Sequence, residues 1–152
     1  MPTKICWIHS FENNARIGIM PRPRGGDWLE DEIIYFKRQN VNLLVSLLEA
    51  HEITELDLKN EEAFCIQYGI TFLHFPIKDR STPANTNEFI QTILKRINEG
   101  ANTVIHCRMG IGRSSIMAGA VLISKGYKAD GILEHISNVR GLNVPDTEEQ
   151  AN

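Results

Sequence analysis

Short apolar segments alternate along the chain with longer segments in which apolar residues recur every three or four positions. The short segments predict β-strands, because β-branched residues recur in them and turn-forming residues flank them. The longer segments predict helices, and in one of them Ile90, Ile93, Leu94 and Ile97 form a single apolar face. The predicted strands are residues 5–9, 17–20, 43–47, 71–75 and 103–106, and the predicted helices are residues 28–39, 61–68, 87–98, 113–124 and 129–139.

The alternation of strands and helices indicates an α/β fold with a central, mostly parallel sheet flanked by helices. A length of 152 residues and a hydrophobic content of 42% fit one domain covering residues 1–152. A domain of this size buries roughly 70% of the surface of its unfolded chain. Sheets of this kind bind ligands beyond the carboxyl ends of their strands, so a site is expected after residue 106.

Candidate caps mark the ends of two predicted helices. Asp27 is a candidate N-cap for the helix 28–39, since an aspartate side chain accepts hydrogen bonds from the first backbone N–H groups. Thr86 is the corresponding candidate for the helix 87–98. Gly100 follows that helix and predicts its C-terminal end, where a left-handed backbone favours glycine.

Composition excludes several classes of function. A formal net charge of −3 provides no general attraction to nucleic acid or to acidic membranes. No apolar segment approaches the roughly 20 residues that span a bilayer, and the N-terminus lacks a signal-peptide pattern. Cys6, Cys65 and Cys107 are an odd number of cysteines without framework spacing, which favours a reducing, cytoplasmic setting.

The segment from His106 to Ser114 carries the strongest chemical signal. It reads as the end of a strand, a glycine-containing loop with a thiol at its start, and a helix N-terminus. Glycines allow backbone N–H groups to turn inward, and the helix end adds positive potential, so the loop can bind a tetrahedral oxyanion. Arg113 can bind two equatorial oxygens through its planar guanidinium. Cys107 would then lie at the base of the loop as a nucleophile.

Nucleophilic attack requires the Cys107 thiolate, whereas an ordinary thiol with a pKa of about 8.5 is mostly protonated at neutral pH. Lowering that pKa by about three units requires roughly 4 kcal/mol. A helix dipole supplies at most about 2 kcal/mol, so loop N–H groups and the Arg113 charge must supply the rest. Ser114 could donate a hydrogen bond to the sulfur, and His106 could brace the loop from behind.

Residues 106–115, His-Cys-Arg-Met-Gly-Ile-Gly-Arg-Ser-Ser, resemble the His-Cys-x-x-Gly-x-x-Arg-Ser/Thr signature of cysteine-dependent protein tyrosine and dual-specificity phosphatases. The pattern is most similar to kinase-associated phosphatase-like small bacterial members. The resemblance implies a tyrosine-phosphatase-like fold and a catalytic role for Cys107 and Arg113. It also implies that substrate is bound by Arg108, Met109, Gly110, Ile111, Gly112 and Arg113.

Asp79 matches the general acid of the resembled family. It follows a predicted strand, in a Pro-Ile-x-Asp-x-x-x-Pro segment similar to that of the kinase-associated branch. Cleavage of a phosphate ester needs a proton for the leaving oxygen, which a carboxylic acid on a loop can provide. Alternatively, Asp79 initiates a turn, because aspartate and proline favour turns on their own.

Gln150 resembles the glutamine that related phosphatases carry near the reacting phosphate, where it would help to place the hydrolytic water. An exposed position in the first turn of a helix is an equal and compatible reading.

Several other basic and histidine side chains have structural readings. Arg22 and Arg24 could line the cleft and attract an anion, or they could be solvated arginines of an entry loop. Arg80 and Arg108 are better placed to add positive field, because they adjoin the proposed acid and nucleophile. The remaining histidines lack zinc-ligand spacing, and we expect no metal and no cofactor; these histidines are His9, His51, His74 and His135.

The sequence therefore predicts a metal-independent hydrolase of phosphotyrosine and of phosphoserine or phosphothreonine in protein substrates, acting through a cysteinyl-phosphate intermediate. One alternative is a phosphatase for inositol phosphates, phosphoinositides or RNA 5′-phosphates. Another is a phosphopeptide-binding module without catalysis, which an intact set of Cys107, Asp79 and Arg113 disfavours.

Overall fold

The computed structural model describes residues 2–77, 87–109 and 112–127. Within these ranges the strands are β1 (Cys6–Ser10), β2 (Arg16–Met20), β3 (Leu43–Ser46), β4 (Thr71–His74) and β5 (Thr103–His106). The helices are α1 (Leu29–Arg38), α2 (Ala50–Glu55), α3 (Glu61–Gln67), α4 (Asn87–Asn98) and α5 (Gly112–Ser124), and a 3-10 turn covers Gly26–Trp28.

The five strands form one sheet in the order β1-β2-β5-β3-β4. β1 pairs with β2 in the antiparallel sense, and the other three pairings are parallel. This confirms the predicted mostly parallel sheet. β5 is the central strand, and its last residue, His106, pairs with Met20 on one side and Ser46 on the other. The segment that follows β5 therefore leaves the sheet at the middle of its carboxyl edge.

Helices cover both faces of the sheet, so the central strands are buried on both sides. Successive residues of β5 belong to opposite faces: Val104 packs in a cluster with α1 and α3, and Ile105 packs in a second cluster with α4 and α5. All four residues of β3 and of β5 are buried. No helix in the described ranges is long and apolar enough to cross a membrane.

Most predicted boundaries lie within one residue of the structure, and those of α4 and β5 coincide with it. Gly100 has a φ of +97°, and its N–H donates to Ile97 O, as expected for a helix end. The N-cap prediction for Asp27 is wrong. Asp27 lies inside the 3-10 turn, and Trp28, the N-cap residue of α1, makes no side-chain capping bond. The 3-10 turn supplies the entry to the helix instead.

Helix α2 was not predicted. It has only six residues, which is too short for a helical repeat of apolar positions to be recognised. Its first turn is fixed locally, since Glu52 accepts a hydrogen bond of 3.0 Å from the Glu49 N–H. The predicted helix 129–139 and the candidate cap Thr86 lie outside the described residues.

Candidate active site

Cys107 lies immediately beyond the carboxyl end of β5, with 2% of its surface exposed. The preceding residue still belongs to the sheet, because Leu47 N–H donates to His106 O at 3.0 Å. Helix α5 begins five residues after Cys107. The structure thus confirms the predicted order of strand, thiol, loop and helix N-terminus, and places the thiol in the interior.

Arg113 lies in the first turn of α5, and its side chain is 1% exposed. Its Nη1 donates to Glu52 Oε1 at 2.7 Å, and its Nη2 donates to Glu52 Oε2 at 2.9 Å. Nη1 also donates to the carbonyl oxygens of Ile77 at 3.0 Å and Leu47 at 3.4 Å. A two-pronged ion pair of this kind fixes the plane of the guanidinium as well as its position.

Glu52 is a residue of the candidate site that the sequence analysis missed. It is buried in α2, the short helix that follows β3. Burial acts to raise the pKa of Glu52, but the hydrogen bonds from Arg113 and from the Glu49 N–H, together with the Arg113 charge, hold this pKa below its usual value. Glu52 is therefore a carboxylate at neutral pH. Its position after a strand adjacent to β5 was the available signal, because both strands end at the same sheet edge.

His106 makes a buried contact that was also not foreseen. Its Nε2 lies 2.6 Å from Glu61 Oε2, and the two side chains are 0% and 3% exposed. Glu61 is the first residue of α3, on the face of the sheet opposite α5. The contact places a carboxylate beside the His106 ring, and the bracing role of His106 stays a prediction.

Arg108 and Met109 form the accessible start of the loop. The Arg108 side chain is 40% exposed, and its Nη1 donates to Glu55 Oε2 at 3.0 Å and lies 4.0 Å from Glu52 Oε2. Arg22 N–H donates to Arg108 O at 3.3 Å, which ties the segment after β2 to the loop. Met109 is 65% exposed. The loop therefore presents a partly neutralised cation and an apolar side chain to solvent.

Comparisons with known proteins agree with this geometry. The family described as "Polymorphic toxin system, DSP-PTPase phosphatase" matches residues 18–127. The chain belongs to this family. The membership confirms the resemblance to dual-specificity phosphatases that the signature around Cys107 indicated.

A relative and two solved structures show how far the likeness extends. Cyclin-dependent kinase inhibitor 3 of Rattus norvegicus is 32% identical over 93 residues, which is 57% of this chain and 42% of that protein. The chain thus spans less than half the length of this relative. Kinase associated phosphatase, with its catalytic cysteine substituted by serine, shares the fold with a TM-score of 0.87 at 20% identity, over 99% of this chain and 90% of that one. Tk-PTP in its active form gives a TM-score of 0.76 at 25% identity, covering 96% and 91%.

The structure describes only some of the remaining predicted site residues of this DSP-PTPase chain. Gly112 and Ser114 are buried in the first turn of α5. Ser114 Oγ has no hydrogen-bond partner among the described residues, so its action on the sulfur stays a prediction. The other predicted residues lie outside the described ranges: Asp79, Arg80, Gly110, Ile111 and Gln150.

Arg24 pairs with a buried carboxylate of helix α1. Its Nε donates to Glu32 Oε1 at 3.0 Å, and its guanidinium lies 4.9 Å from the centre of the Trp28 ring. Glu32 is fully buried and also accepts hydrogen bonds from the backbone N–H and hydroxyl of Thr3. This pairing favours the structural, entry-loop interpretation of Arg24. The Arg22 side chain donates to Pro23 O at 3.2 Å. For Arg22, both a position in the cleft and a solvated position in the entry loop stay predictions.

One group of described side chains has metal-ligand spacing. Glu49, His51 and Glu52 each offer a ligand atom within 4.8 Å of the others. Both oxygens of Glu52, however, accept hydrogen bonds from Arg113, so a cation here would compete with the guanidinium. His9 and His74 contact Tyr127 Oη and Leu48 O, which fits their structural reading, and His135 lies outside the described residues.

Proposed function

We propose that this chain is a metal-independent phosphatase that hydrolyses phosphotyrosine, and phosphoserine or phosphothreonine, in protein substrates. One observation carries the proposal. The buried Cys107 thiol lies just beyond the central strand β5, and Arg113 lies in the first turn of the following helix α5. Glu52, in the connection after the neighbouring strand β3, fixes this arginine through two hydrogen bonds. Family membership supports the same chemistry. The odd cysteine number supports a cytoplasmic setting.

In the first step, the Cys107 thiolate attacks phosphorus in line with the leaving oxygen. A sulfur–phosphorus bond forms, and the bond between phosphorus and the ester oxygen breaks. Arg113 and the backbone N–H groups of the loop stabilise the charge on the equatorial oxygens. Asp79 donates its proton to the leaving oxygen, which departs as an alcohol or phenol.

In the second step, water attacks the cysteinyl-phosphate. Asp79, now a carboxylate, accepts a proton from this water, and Gln150 helps to place it. The sulfur–phosphorus bond breaks, inorganic phosphate leaves, and Ser114 stabilises the departing Cys107 thiolate by a hydrogen bond. The free enzyme is restored without an external reductant or metal.

The charges around the loop favour a phosphorylated side chain over a polyanionic substrate. Arg108 is already paired with Glu55, and the partly exposed Glu49 lies on the same connection after β3. The additional phosphates of an inositol ring would be repelled by these two carboxylates. A peptide side chain carries a single phosphate, so the repulsion is smaller for a phosphopeptide.

The experiment is hydrolysis of a chromogenic aryl phosphate in the presence of a metal chelator. We expect turnover by the wild type and none by Cys107→Ser, which should retain phosphate binding. A panel of phosphopeptides, inositol phosphates and RNA 5′-phosphates then ranks the substrate classes. Faster turnover of the inositol or RNA esters than of any phosphopeptide would overturn the protein-substrate assignment, and binding of phosphopeptides without hydrolysis would overturn catalysis itself.

A further inference from the structure

We propose that Arg22 is a specificity-determining residue, which binds a carboxylate on a residue flanking the phosphorylated one in the protein substrate. This inference rests on the proposed function, because it concerns how a phosphopeptide lies at the entrance of the site. Two observations carry it together. Arg22 is anchored beside the residue that follows the nucleophile, and its guanidinium has no carboxylate partner among the described residues.

The backbone places Arg22 next to the start of the loop after β5. β2 pairs with β5 in the parallel sense, and its last residue, Met20, is level with His106. Two residues further on, the Arg22 N–H donates to Arg108 O at 3.3 Å. Arg108 directly follows Cys107, so this backbone contact lies one residue away from the nucleophile. The Arg22 side chain therefore begins beside the loop to which we assign the phosphate.

The segment around Arg22 is conformationally restricted. A proline precedes it and another follows it, and each proline ring fixes its own φ angle at about −65°. Pro23 is buried, which anchors the segment in the fold, and Arg22 itself is half-buried. A side chain that the fold already restrains loses less conformational entropy when it binds a ligand.

The electrostatic environment of Arg22 differs from that of its neighbours. Three other arginines at this edge of the sheet each have a glutamate partner at 3.0 Å or less: Arg24–Glu32, Arg108–Glu55 and Arg113–Glu52. Within residues 2–77, 87–109 and 112–127, the Arg22 side chain donates only from Nη1 to Pro23 O, which carries no net charge. A guanidinium binds a carboxylate through two parallel hydrogen bonds, and the Nε and Nη2 donors of Arg22 can form them.

The entrance of the site carries opposite charges beyond two different strands. β2 and β3 lie on either side of β5. Arg22 lies just beyond β2, whereas the partly exposed Glu49 and the exposed Glu55 lie on the connection after β3. An acidic side chain of a bound peptide is attracted by Arg22 and repelled by the glutamates. The preference should therefore depend on where the acidic residue stands relative to the phosphorylated one.

The experiment uses phosphopeptides that differ by one charge. A single aspartate is moved through the positions on each side of a phosphotyrosine, and each peptide has a matched asparagine version. We expect the wild type to favour the aspartate peptide at neighbouring positions on one side, about fivefold in kcat/KM, as for a partly exposed charge pair. In Arg22→Gln this ratio should fall to about one. A wild type without such a preference, or a preference that persists in Arg22→Gln, would overturn the proposal.

Arg38→Gln is the matched control, because it removes the same charge at an exposed position. Arg38 ends α1, which leads to the start of β3, so it lies at the opposite edge of the sheet. This variant should keep the wild-type ratio. Equal losses in Arg22→Gln and Arg38→Gln would indicate a general effect of net charge and would overturn the assignment to Arg22.

A second variant reverses the charge. In Arg22→Glu, a peptide with lysine at the selected position should be hydrolysed faster than the aspartate peptide. A damaged fold can lower both rates, but it does not exchange their order. An unchanged order would contradict direct contact between Arg22 and the flanking side chain.

The same comparison can be made without turnover. Calorimetry measures binding of each peptide pair to Cys107→Ser, and the ratio of the two dissociation constants should show the same dependence on Arg22. A wild type that hydrolyses no phosphopeptide would refute the proposed function. An active wild type that binds and hydrolyses the aspartate and asparagine peptides equally would refute this inference alone.

Discussion

Glu52 and Arg113 lie 61 residues apart in the chain and form a buried, two-pronged ion pair. The pair joins α2 to α5 across the carboxyl edge of the sheet. Arg113 also donates to Ile77 O, two residues before Asp79. One guanidinium therefore connects the start of α5, the connection after β3 and the segment that leads to the proposed acid. Protein groups thus fix the position of the side chain to which we assign the binding of phosphate.

We expect Glu52→Gln to lower both stability and activity. The change leaves the Arg113 charge buried without its carboxylate, which typically costs about 3–5 kcal/mol in the free energy of unfolding. A guanidinium that is no longer held in one plane binds the equatorial oxygens less well, so kcat/KM for an aryl phosphate should fall by more than about tenfold. Urea unfolding and steady-state kinetics measure the two effects.

The matched control is Glu55→Gln, on the same helix. Glu55 pairs with the half-exposed Arg108, and exposed pairs contribute at most about 1 kcal/mol. Equal losses of stability in Glu52→Gln and Glu55→Gln would contradict the role of the buried pair.

We expect Asp79→Ala to slow turnover by about 10²–10⁴ on esters with poor leaving groups, the usual contribution of general acid catalysis. The loss should shrink as the leaving group becomes more acidic, since a good leaving group needs no proton. A series of substituted phenyl phosphates measures this dependence. Unchanged rates on phenolic and alkyl phosphates would show that Asp79 only forms a turn.

Two of the buried glutamates, Glu32 and Glu52, predict how stability depends on pH. Burial acts to raise the pKa of Glu32, but hydrogen bonds from Thr3 and Arg24 hold it below the usual value of 4.5. Because this pKa and that of Glu52 are lowered on folding, their contribution is complete above the unfolded value and is lost as pH falls through the folded values.

Unfolding measured from pH 7 to pH 3 should therefore show declining stability below about pH 4.5. Glu32→Gln should be less stable than the wild type at pH 7, and its stability should decline less steeply in acid. The exposed Glu12 provides the control, since Glu12→Gln should reproduce the wild-type curve. An equally steep decline in Glu32→Gln would contradict the role of this carboxylate.

The loop between β2 and α1 packs too closely to accept a side chain at Gly25. A Cβ there would lie 1.9 Å from Leu56 O and 2.7 Å from Asp57 O, both backbone atoms. We expect Gly25→Ala to lower the melting temperature markedly, because the backbone of one segment must move. Asp27→Ala, at an exposed position two residues on, should leave it nearly unchanged. Similar melting temperatures for the two variants would contradict this packing.

Regular elements could be predicted wherever a periodic pattern was long or a strand was strongly apolar. The bounds of α4 and β5 came directly from such patterns. α2 has too few residues to show a period, and it carries Glu52. The sequence analysis therefore failed at the element that completes the site, for the same reason that it failed to find the partner of Arg113.

The linear sequence by itself determined the chemistry around Cys107: a strand, a loop and a helix start are contiguous, so their residues are neighbours in any fold that forms them. Only the tertiary structure decided which carboxylates contact the residues at the two ends of that loop. Glu52 and Glu61 reach Arg113 and His106 because α2 and α3 follow β3, which pairs with β5. Pairing between distant strands depends on the whole core, and no local pattern records it.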